Sequence, residues 1–333
     1  MKILLDGMGG DHAPEVIVEG AVAATKELEK DVKIAIIGQE EIIAKELKKT
    51  GYTGDAIEII HADEVITNHE SPVKAIRTKK ESTIVKGINL LKEGEVDVFI
   101  SAGSTGAVLA GGLLILGRIK GVDRPALATI YPVIGKEPAL LLDAGANAEC
   151  KPKHLLEFGI MGSLYMEKVL GRTDPRVGLV NNGAEEGKGN ALTKETYGLL
   201  KESNLNFVGN VEARDIPTGA ADVIVTDGFT GNVIIKLSEG LGLTILREIK
   251  RKFTAGGVAK LGAALLKGKL YELKQDFDYT EYGGAPILGV RGAILKMHGS
   301  SDFYAVKQTI LKAVPYVKEN VVEKIAGSIG EDN

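Results

Sequence analysis

The chain has 333 residues, 44% of them hydrophobic, with 42 glycines, a formal net charge of −4, no tryptophan and one cysteine, Cys150. That size suits one large or two medium soluble domains. The charge gives no electrostatic reason to bind nucleic acid, the scarcity of aromatics argues against a base-stacking platform, and one cysteine excludes a disulfide framework within the chain and fits a reducing cytoplasm. No apolar run reaches the ~18 residues that a membrane span needs, and the first residues lack a signal-peptide layout.

The first element is an apolar run, Ile3-Leu4-Leu5, that meets Asp6-Gly7-Met8-Gly9-Gly10-Asp11-His12-Ala13-Pro14. It reads as a buried strand, a tight loop and a helix start. Glycines let a backbone come close to a ligand, and the free N–H groups of a helix N-terminus favour anions, so this turn is expected to bind an anion, phosphate first of all. Further apolar runs at 32–37, 56–60, 96–100, 138–142, 177–180, 207–208 and 223–225 predict strands. Amphipathic stretches at 14–30, 40–49, 81–92, 152–169 and 193–202 predict helices between them. Strands that alternate with helices predict βαβ units and a mainly parallel sheet. Residues 124–133 read as one more strand, bent or at an edge because of Pro125 and Pro132.

The last third reads differently. Residues 230–253 carry a long helical pattern with Val233, Ile234, Leu237, Leu241, Ile245, Leu246 and Ile249 on one side, and Thr230 or Asp227 as its cap. Residues 258–270 form a basic amphipathic stretch. Together they predict a helical hairpin over about 230–270. Two readings stand side by side: a basic surface for an anionic membrane or an acidic partner, and a hairpin buried in a dimer interface. Residues 282–289 read as a glycine-rich loop, and a final helix is expected over 303–320 with Ser300 or Ser301 as its cap.

One regularity recurs. An apolar run ends in a small or acidic polar residue, one further residue, then glycine. It occurs at residues 6–14, at Ser101-Ala102-Gly103-Ser104-Thr105-Gly106, at Asp143-Ala144-Gly145-Ala146-Asn147, at Asn181-Asn182-Gly183 and at Thr226-Asp227-Gly228-Phe229-Thr230-Gly231-Asn232. In an open parallel sheet the strand C-termini share one edge and ligands bind there, so five such loops predict one common mouth.

Familiar chemistries fit poorly. Gly7-Met8-Gly9 is followed by His12 where a dinucleotide loop has its third glycine, and the second strand ends at Gly38-Gln39 without an acid. No stretch supplies a Walker lysine or a serine elbow. The five histidines lack metal spacing. Asp6, Asp11, Asp143 and Asp227 have the chemistry to hold Mg²⁺, but carboxylates at strand ends more often cap helices or bond loop N–H groups. What remains is a site of backbone N–H groups, Asn, Ser and Thr with few basic groups. Such a site suits an oxyanion substrate that is itself the nucleophile.

The ordered motifs resemble those of bacterial phosphate acyltransferases, the PlsX family. The resembling stretches are residues 6–14, His61-Ala62-Asp63-Glu64-Val65-Ile66, Ile100 to Ala107, Gly117-Arg118-Ile119-Lys120-Gly121, Arg124-Pro125-Ala126, Gly209-Asn210-Val211-Glu212-Ala213-Arg214-Asp215, Val225 to Val233, Tyr282-Gly283-Gly284-Ala285 and His298-Gly299-Ser300-Ser301-Asp302. They cover nearly the whole chain, with Gly7 and Ser104 where such proteins often have alanine and asparagine. The resemblance implies transfer of a fatty acyl group from acyl carrier protein to inorganic phosphate, as the donor step of phospholipid synthesis. It implies a three-layer α/β/α fold like that of isocitrate and isopropylmalate dehydrogenases and phosphate acetyltransferase. It also implies a homodimer, no organic cofactor, and work beside the membrane as a soluble, cytoplasmic or peripheral protein whose product serves a membrane glycerol-phosphate acyltransferase; the chain is read as a single domain over 1–333, and no metal is expected.

Under that resemblance the loops at 9–12, 104–106 and 230–232 are expected to bind phosphate, through Gly9, Gly10, Asp11, Ser104, Thr105, Gly106, Asp227 and Thr230. Asn147, Asn190 and Asn232 are the expected donors to the developing oxyanion. Lys188, flanked by Gly187 and Gly189, is the expected cation, although a solvated loop lysine is the plainer reading without the family. His12 or His298 would protonate the departing thiolate. Arg251, Lys252, Lys260, Lys267 and Lys269 form the expected contact for an acidic carrier protein or anionic lipid. The alternatives are an acyl-CoA-dependent enzyme, a Mg²⁺/NAD⁺ 2-hydroxy-acid dehydrogenase of similar fold, and a scaffold that binds carrier protein without turnover.

Overall fold

The computed structural model describes residues 1–256, 262, 265, 266, 268, 269 and 283–331. In chain order the strands are β1 (Lys2–Asp6), β2 (Lys33–Gly38), β3 (Ile57–His61), β4 (Val98–Ser101), β5 (Ala126–Leu127), β6 (Thr129–Tyr131), β7 (Ala139–Leu142), β8 (Val177–Asn181), β9 (Phe207–Glu212), β10 (Val223–Val225), β11 (Ala285–Leu288) and β12 (Ala293–Lys296). They form two sheets, one of seven strands in the order β3-β2-β1-β4-β12-β11-β5 and one of five in the order β6-β7-β10-β8-β9. Pairing is parallel from β3 through β12 and again from β7 through β9, with antiparallel pairs where the two sheets approach each other.

Both faces of the central strands are buried. Ile3 and Leu5 belong to one apolar cluster and Leu4 to another, and the same alternation divides Ile34 and Ile36 from Ala35 and Ile37. The first cluster takes in Ile17, Val18 and Ala21 of the helix Glu15–Ala24, and Phe158 and Met161 of Pro152–Lys168. The second takes in Ile84, Val85 and Ile88 of Thr83–Glu93, and Val108 of Thr105–Gly111. Side chains alternate across a strand, so helices on both faces produce the continuous apolar runs seen in the sequence. Local signals agree with the helices. The helix Glu40–Lys49 carries Glu40 and Glu41 in its first turn and Lys48 and Lys49 in its last, which matches the helix dipole at each end.

Three expectations are corrected. Residues 124–133 are not one strand: Ala126–Leu127 pairs with β11 and Thr129–Tyr131 pairs with β7, so the chain leaves one sheet and enters the other at Ala128. The N–H of Ala128 donates to the Pro286 carbonyl at 3.0 Å across this join. The predicted loop over 282–289 contains β11, which is interior to the seven-stranded sheet, and β12 beside it had no counterpart in the sequence reading. The final helix, Phe303–Lys318, is capped by Asp302, whose carboxylate accepts from the Ala305 N–H at 2.9 Å, and not by Ser300 or Ser301. Of the expected hairpin, the first arm is the helix Gly228–Phe253, 26 residues long and capped by Asp227. Most of the second arm lies outside the described residues.

Candidate active site

A cavity of about 690 Å³ opens where the two sheets meet. Strand ends from both supply its polar wall. Ala102, Gly103, Thr105 and Gly106 follow β4, Ala144, Gly145 and Ala146 follow β7, and Asn232 stands in the second turn of the Gly228–Phe253 helix. A sixth segment, which the recurring pattern missed, is Lys296-Met297-His298-Gly299 at the end of β12. Another part of the lining is apolar: Leu109, Leu113 and Leu114 come from Thr105–Gly111 and the π turn Gly112–Leu116, and Ile235 from the long helix. A second recess of about 310 Å³, lined by Ile130, Tyr131, Leu241, Ile245 and Leu246, shares Thr129, Ile235 and Glu239 with the first.

The first loop supports this wall from behind. Asp6, 1% exposed, accepts from the Ser101 hydroxyl at 2.7 Å and from the Met8 N–H at 3.2 Å, and the Gly103 N–H donates to the Ser101 hydroxyl at 3.0 Å. Burial pushes the Asp6 carboxyl above its ordinary value, and the Ser101 hydroxyl pulls the other way. A Cβ on Gly9 would lie 2.5 Å from the Asp6 carboxylate and 2.7 Å from the Gly103 nitrogen. Gly10 has φ +109°, and a Cβ on it would lie 3.0 Å from the Ala102 side chain and 3.1 Å from the Gly299 carbonyl. The Asp11 N–H donates to that carbonyl at 2.7 Å. Gly9, Gly10 and Asp11 therefore bind one loop to two others, and none of them lines the cavity. His12 is exposed on the same loop and also lies outside the lining.

Asp143, fully buried, organises the next loop. Its Oδ1 accepts from the N–H groups of Leu127, Gly145 and Ala146 at 3.0, 3.2 and 3.0 Å. Its Oδ2 accepts from the Asn147 N–H at 2.6 Å and the Asn147 amide at 2.8 Å. The Asn147 side-chain amide also donates to the Pro125 carbonyl at 2.7 Å. Both amide hydrogens are thus engaged, so the expectation that Asn147 donates to an oxyanion is corrected: it ties the loop together. Asp227 accepts from the Thr230 N–H and hydroxyl, both at 2.8 Å, and so caps the Gly228–Phe253 helix; neither residue is in the cavity lining. Asn232 lines the cavity and donates to the Ala144 carbonyl at 3.4 Å. Ser104 is buried at the start of Thr105–Gly111.

The Asn181–Asn182–Gly183 loop does not reach the lining. Strand β10 separates β8 from β7, and the loop is held to its own sheet edge by the Asn181 amide, which donates to the Lys188 carbonyl and to Asn210. Lys188 and Asn190 sit on this loop, and the Asn190 side chain accepts from the Thr193 N–H as a helix cap. Neither lines the cavity.

Two basic groups of the β12 loop do. Lys296 is 7% exposed and donates to the Met297 carbonyl; burial lowers its ammonium to about 8, and the carboxylates of Asp6 and Asp11 pull it back up. Its place was legible only in hindsight, because Ile294-Leu295-Lys296-Met297-His298-Gly299 repeats the strand-to-glycine pattern with a basic residue and a longer gap. His298 accepts the Ser300 N–H at Nδ1, 3.3 Å away, which leaves Nε2 as the protonated nitrogen of the neutral ring. Burial and the nearby Lys236 ammonium lower its pKa. Cys150 is half-buried, and burial pushes its thiol up to about 11, so it stays protonated and unreactive near neutral pH. Among the described residues no three His, Cys, Asp or Glu side chains cluster in a way that could hold a metal ion, so Asp6, Asp11, Asp143 and Asp227 do not converge.

Along the Gly228–Phe253 helix, Phe229, Leu237 and Leu241 are 66%, 67% and 56% exposed. At its end Arg251 pairs with Glu248 at 2.7 Å, and Lys252 is exposed. Lys269 is exposed as well, whereas Lys260 and Lys267 lie outside the described residues. Among the described residues no helix is long and apolar enough to cross a membrane.

A family model described as "Fatty acid synthesis protein" matches residues 1–324. A protein named phosphate acyltransferase from Alkaliphilus oremlandii is 55% identical over 335 aligned residues, covering 100% of this chain and 99% of that protein. One of the same name from Clostridioides difficile is 49% identical and covers 100% of this chain and 97% of its own. Among solved structures, a phosphotransacetylase from Streptococcus pyogenes superposes with a TM-score of 0.64 at 17% identity, over 96% of this chain and 94% of that one. One from Staphylococcus aureus gives 0.60 at 17% identity with the same coverage. The structural likeness is one of fold, the mixed α/β arrangement of parallel-rich sheets between helices. Matched along nearly all of its length in sequence, the chain belongs to the fatty acid synthesis protein family, that of the phosphate acyltransferases its ordered motifs resemble.

Proposed function

We propose that the protein transfers a fatty acyl group from acyl carrier protein to inorganic phosphate. A phosphate oxygen attacks the thioester carbonyl carbon, the C–S bond breaks, the carrier leaves as a thiol and acyl phosphate is the product. The observation that carries this reading is one cavity with two unlike walls. Glycine loops and a buried lysine make up one part of its lining, and leucines make up another. The polar wall suits an oxyanion and a developing tetrahedral centre, and the apolar wall with its continuation into the 310 Å³ recess suits an acyl chain. In this reading Thr105, Gly106 and Ser104 meet phosphate, Asn232 meets the carbonyl oxygen, and His298 donates an Nε2–H hydrogen bond to the departing sulfur, whose proton comes from the attacking hydrogenphosphate. Incubation with acyl-carrier thioester and phosphate should yield acyl phosphate by mass and free thiol in equal amount. Thiol release without phosphate, or carrier binding without turnover, would sink the proposal; the second result would favour a scaffold. A dehydrogenase would release no thiol and would need NAD⁺.

Lys188, on the neighbouring loop, is retained as a charge proposed to pair with the oxyanion of the thioester carbonyl. Lys188→Ala is expected to slow acyl-phosphate formation with the fold intact, and turnover within about twofold of the unaltered protein, the scale of an exposed charge contact, would remove it from the reaction. The carrier is proposed to dock on Arg251, Lys252, Lys260, Lys267 and Lys269. Charge reversal at Arg251 and Lys252 is expected to weaken carrier binding, most at low salt, since exposed charges are screened beyond ~10 Å at about 0.1 M salt. Unchanged affinity at low salt would discard the patch. The exposed apolar residues of the Gly228–Phe253 helix are consistent with a homodimer built on the hairpin or with peripheral membrane contact, and hand-off to a membrane acyltransferase is proposed from the family resemblance. The chain 1–333 is proposed to act as one domain, with the finer likeness to isocitrate and isopropylmalate dehydrogenases part of the same reading.

A further inference from the structure

We propose that Lys296 is the cation that holds the attacking phosphate, from within the wall of the cavity. The inference rests on the phosphate-dependent reaction proposed above. It assigns to β12 the part that the sequence pattern gave to Lys188.

Lys296 is the last residue of β12 and stands opposite Ser101, the last residue of β4, in the parallel register. The two strands therefore deliver the lysine and the glycine loop that follows Ser101 to the same edge. Strand C-termini are where open α/β sheets bind their ligands. The lysine lines the cavity although only 7% of it is exposed. Among the described residues its one hydrogen bond goes to the Met297 carbonyl, and it forms no ion pair with a carboxylate.

A buried ammonium without a direct counter-ion is costly, because its hydration has been removed and nothing adjacent replaces it. The carboxylates that face it are Asp6, at the end of β1, and Asp11, on the loop that follows; they act at longer range. His298 follows it in the chain, and Lys236 and Glu239 face the same cavity from the long helix. Lys236 is exposed and already pairs with Glu239 at 3.0 Å, so its field is answered and screened. Lys296 lies in the drier position, where the same charge acts more strongly on an anion. An inorganic phosphate seated beside Thr105 and Gly106 would supply the missing counter-charge.

The test uses the full-length protein with acyl-carrier thioester, varied phosphate, and direct calorimetric titration with inorganic phosphate. Lys296→Met keeps the stem and removes the charge. It is expected to raise the phosphate KM about tenfold or more, the scale of a lost charge-assisted contact, with the KM for acyl carrier little changed. In the unaltered protein the phosphate KM should climb from about pH 7 to about pH 9, as an ammonium with its pKa near 8 loses its proton. His298, lowered below its ordinary value, is neutral across that window and does not compete as a cause. Lys296→Arg stays charged throughout and should lack the lysine's share of that climb, phosphate's own ionisation being common to both proteins, which decides the matter even if Lys296→Met does not fold. A phosphate KM within about twofold of the unaltered protein in Lys296→Met, or parallel pH profiles for the unaltered protein and Lys296→Arg, would overturn the assignment. If no phosphate-dependent turnover exists at all, the reaction itself is wrong. Phosphate titration then judges the site alone: binding lost in Lys296→Met sustains it, and equal binding or none in both proteins ends it.

Discussion

Gly231→Ala is expected to destabilise the protein severely and to abolish acyl-phosphate formation. Gly231 lies in the first turns of the Gly228–Phe253 helix, where a Cβ would sit 1.9 Å from the Asp143 carbonyl oxygen and 3.0 Å from Leu141. That oxygen is backbone, in a loop held by the hydrogen bonds of the Asp143 carboxylate, so it cannot swing away as a flexible side chain could. The helix start or the loop must shift, and both line the cavity. Overpacking in well-filled interiors costs ~1–3 kcal/mol and more when backbone must move, so the loss should reach at least the upper end of that range. Gly240→Ala, on the same helix, is the matched control. Nothing lies within 4 Å of its would-be Cβ. There the change removes glycine's entropy cost in a helix, and stability should stay level or rise by about 0.5–1 kcal/mol. Urea unfolding of the two variants checks the pair, and equal midpoints would mean that the helix start does not pack on the Asp143 loop.

Asp143→Ala should be comparably damaging, for a different reason. It leaves the N–H groups of Leu127, Gly145, Ala146 and Asn147, with the Asn147 amide, short of their common acceptor. Each buried donor left without a partner costs about 1–3 kcal/mol, and since these are not additive the sum is expected on the order of 3–5 kcal/mol. The loss reaches beyond the loop, because Leu127 belongs to the seven-stranded sheet and Asp143 follows a strand of the five-stranded one. Asp143→Asn keeps the shape but turns an NH₂ towards N–H donors, so it should recover only part of the stability. Full stability in Asp143→Ala would show that the junction is held by other contacts.

The amino-acid sequence by itself determined the α/β class, most helices and most strands, because apolar periodicity and helix ends are local properties. The helix Glu40–Lys49 and the strand Val223–Val225 occur at the bounds read from the chain alone. It also determined which loops deserved notice, since a strand that ends in a polar residue and a glycine is a pattern written over a few positions. Loops 101–106, 143–147 and 226–232 do meet at one cavity.

Only the tertiary structure decided which of those loops hold substrate-facing groups and which hold one another. Gly9 and Gly10 looked like phosphate contacts, but close packing on Gly103, Ala102 and Gly299 accounts for both. Asn147 looked like a free donor until Asp143 and Pro125 were seen to take both its hydrogens. Lys188 and Lys296 each precede a glycine-containing turn, and nothing local ranks them. What separates them is strand order: β10 intervenes between β8 and β7, whereas β12 inserts beside β4 and brings Lys296 to the opening. Strand order is set by long-range pairing and by the burial of both sheet faces, neither of which leaves a mark within a window of a dozen residues. The glycine-rich opening after β1 is therefore a support for the polar wall, and the charge that the wall needs comes from the far end of the chain.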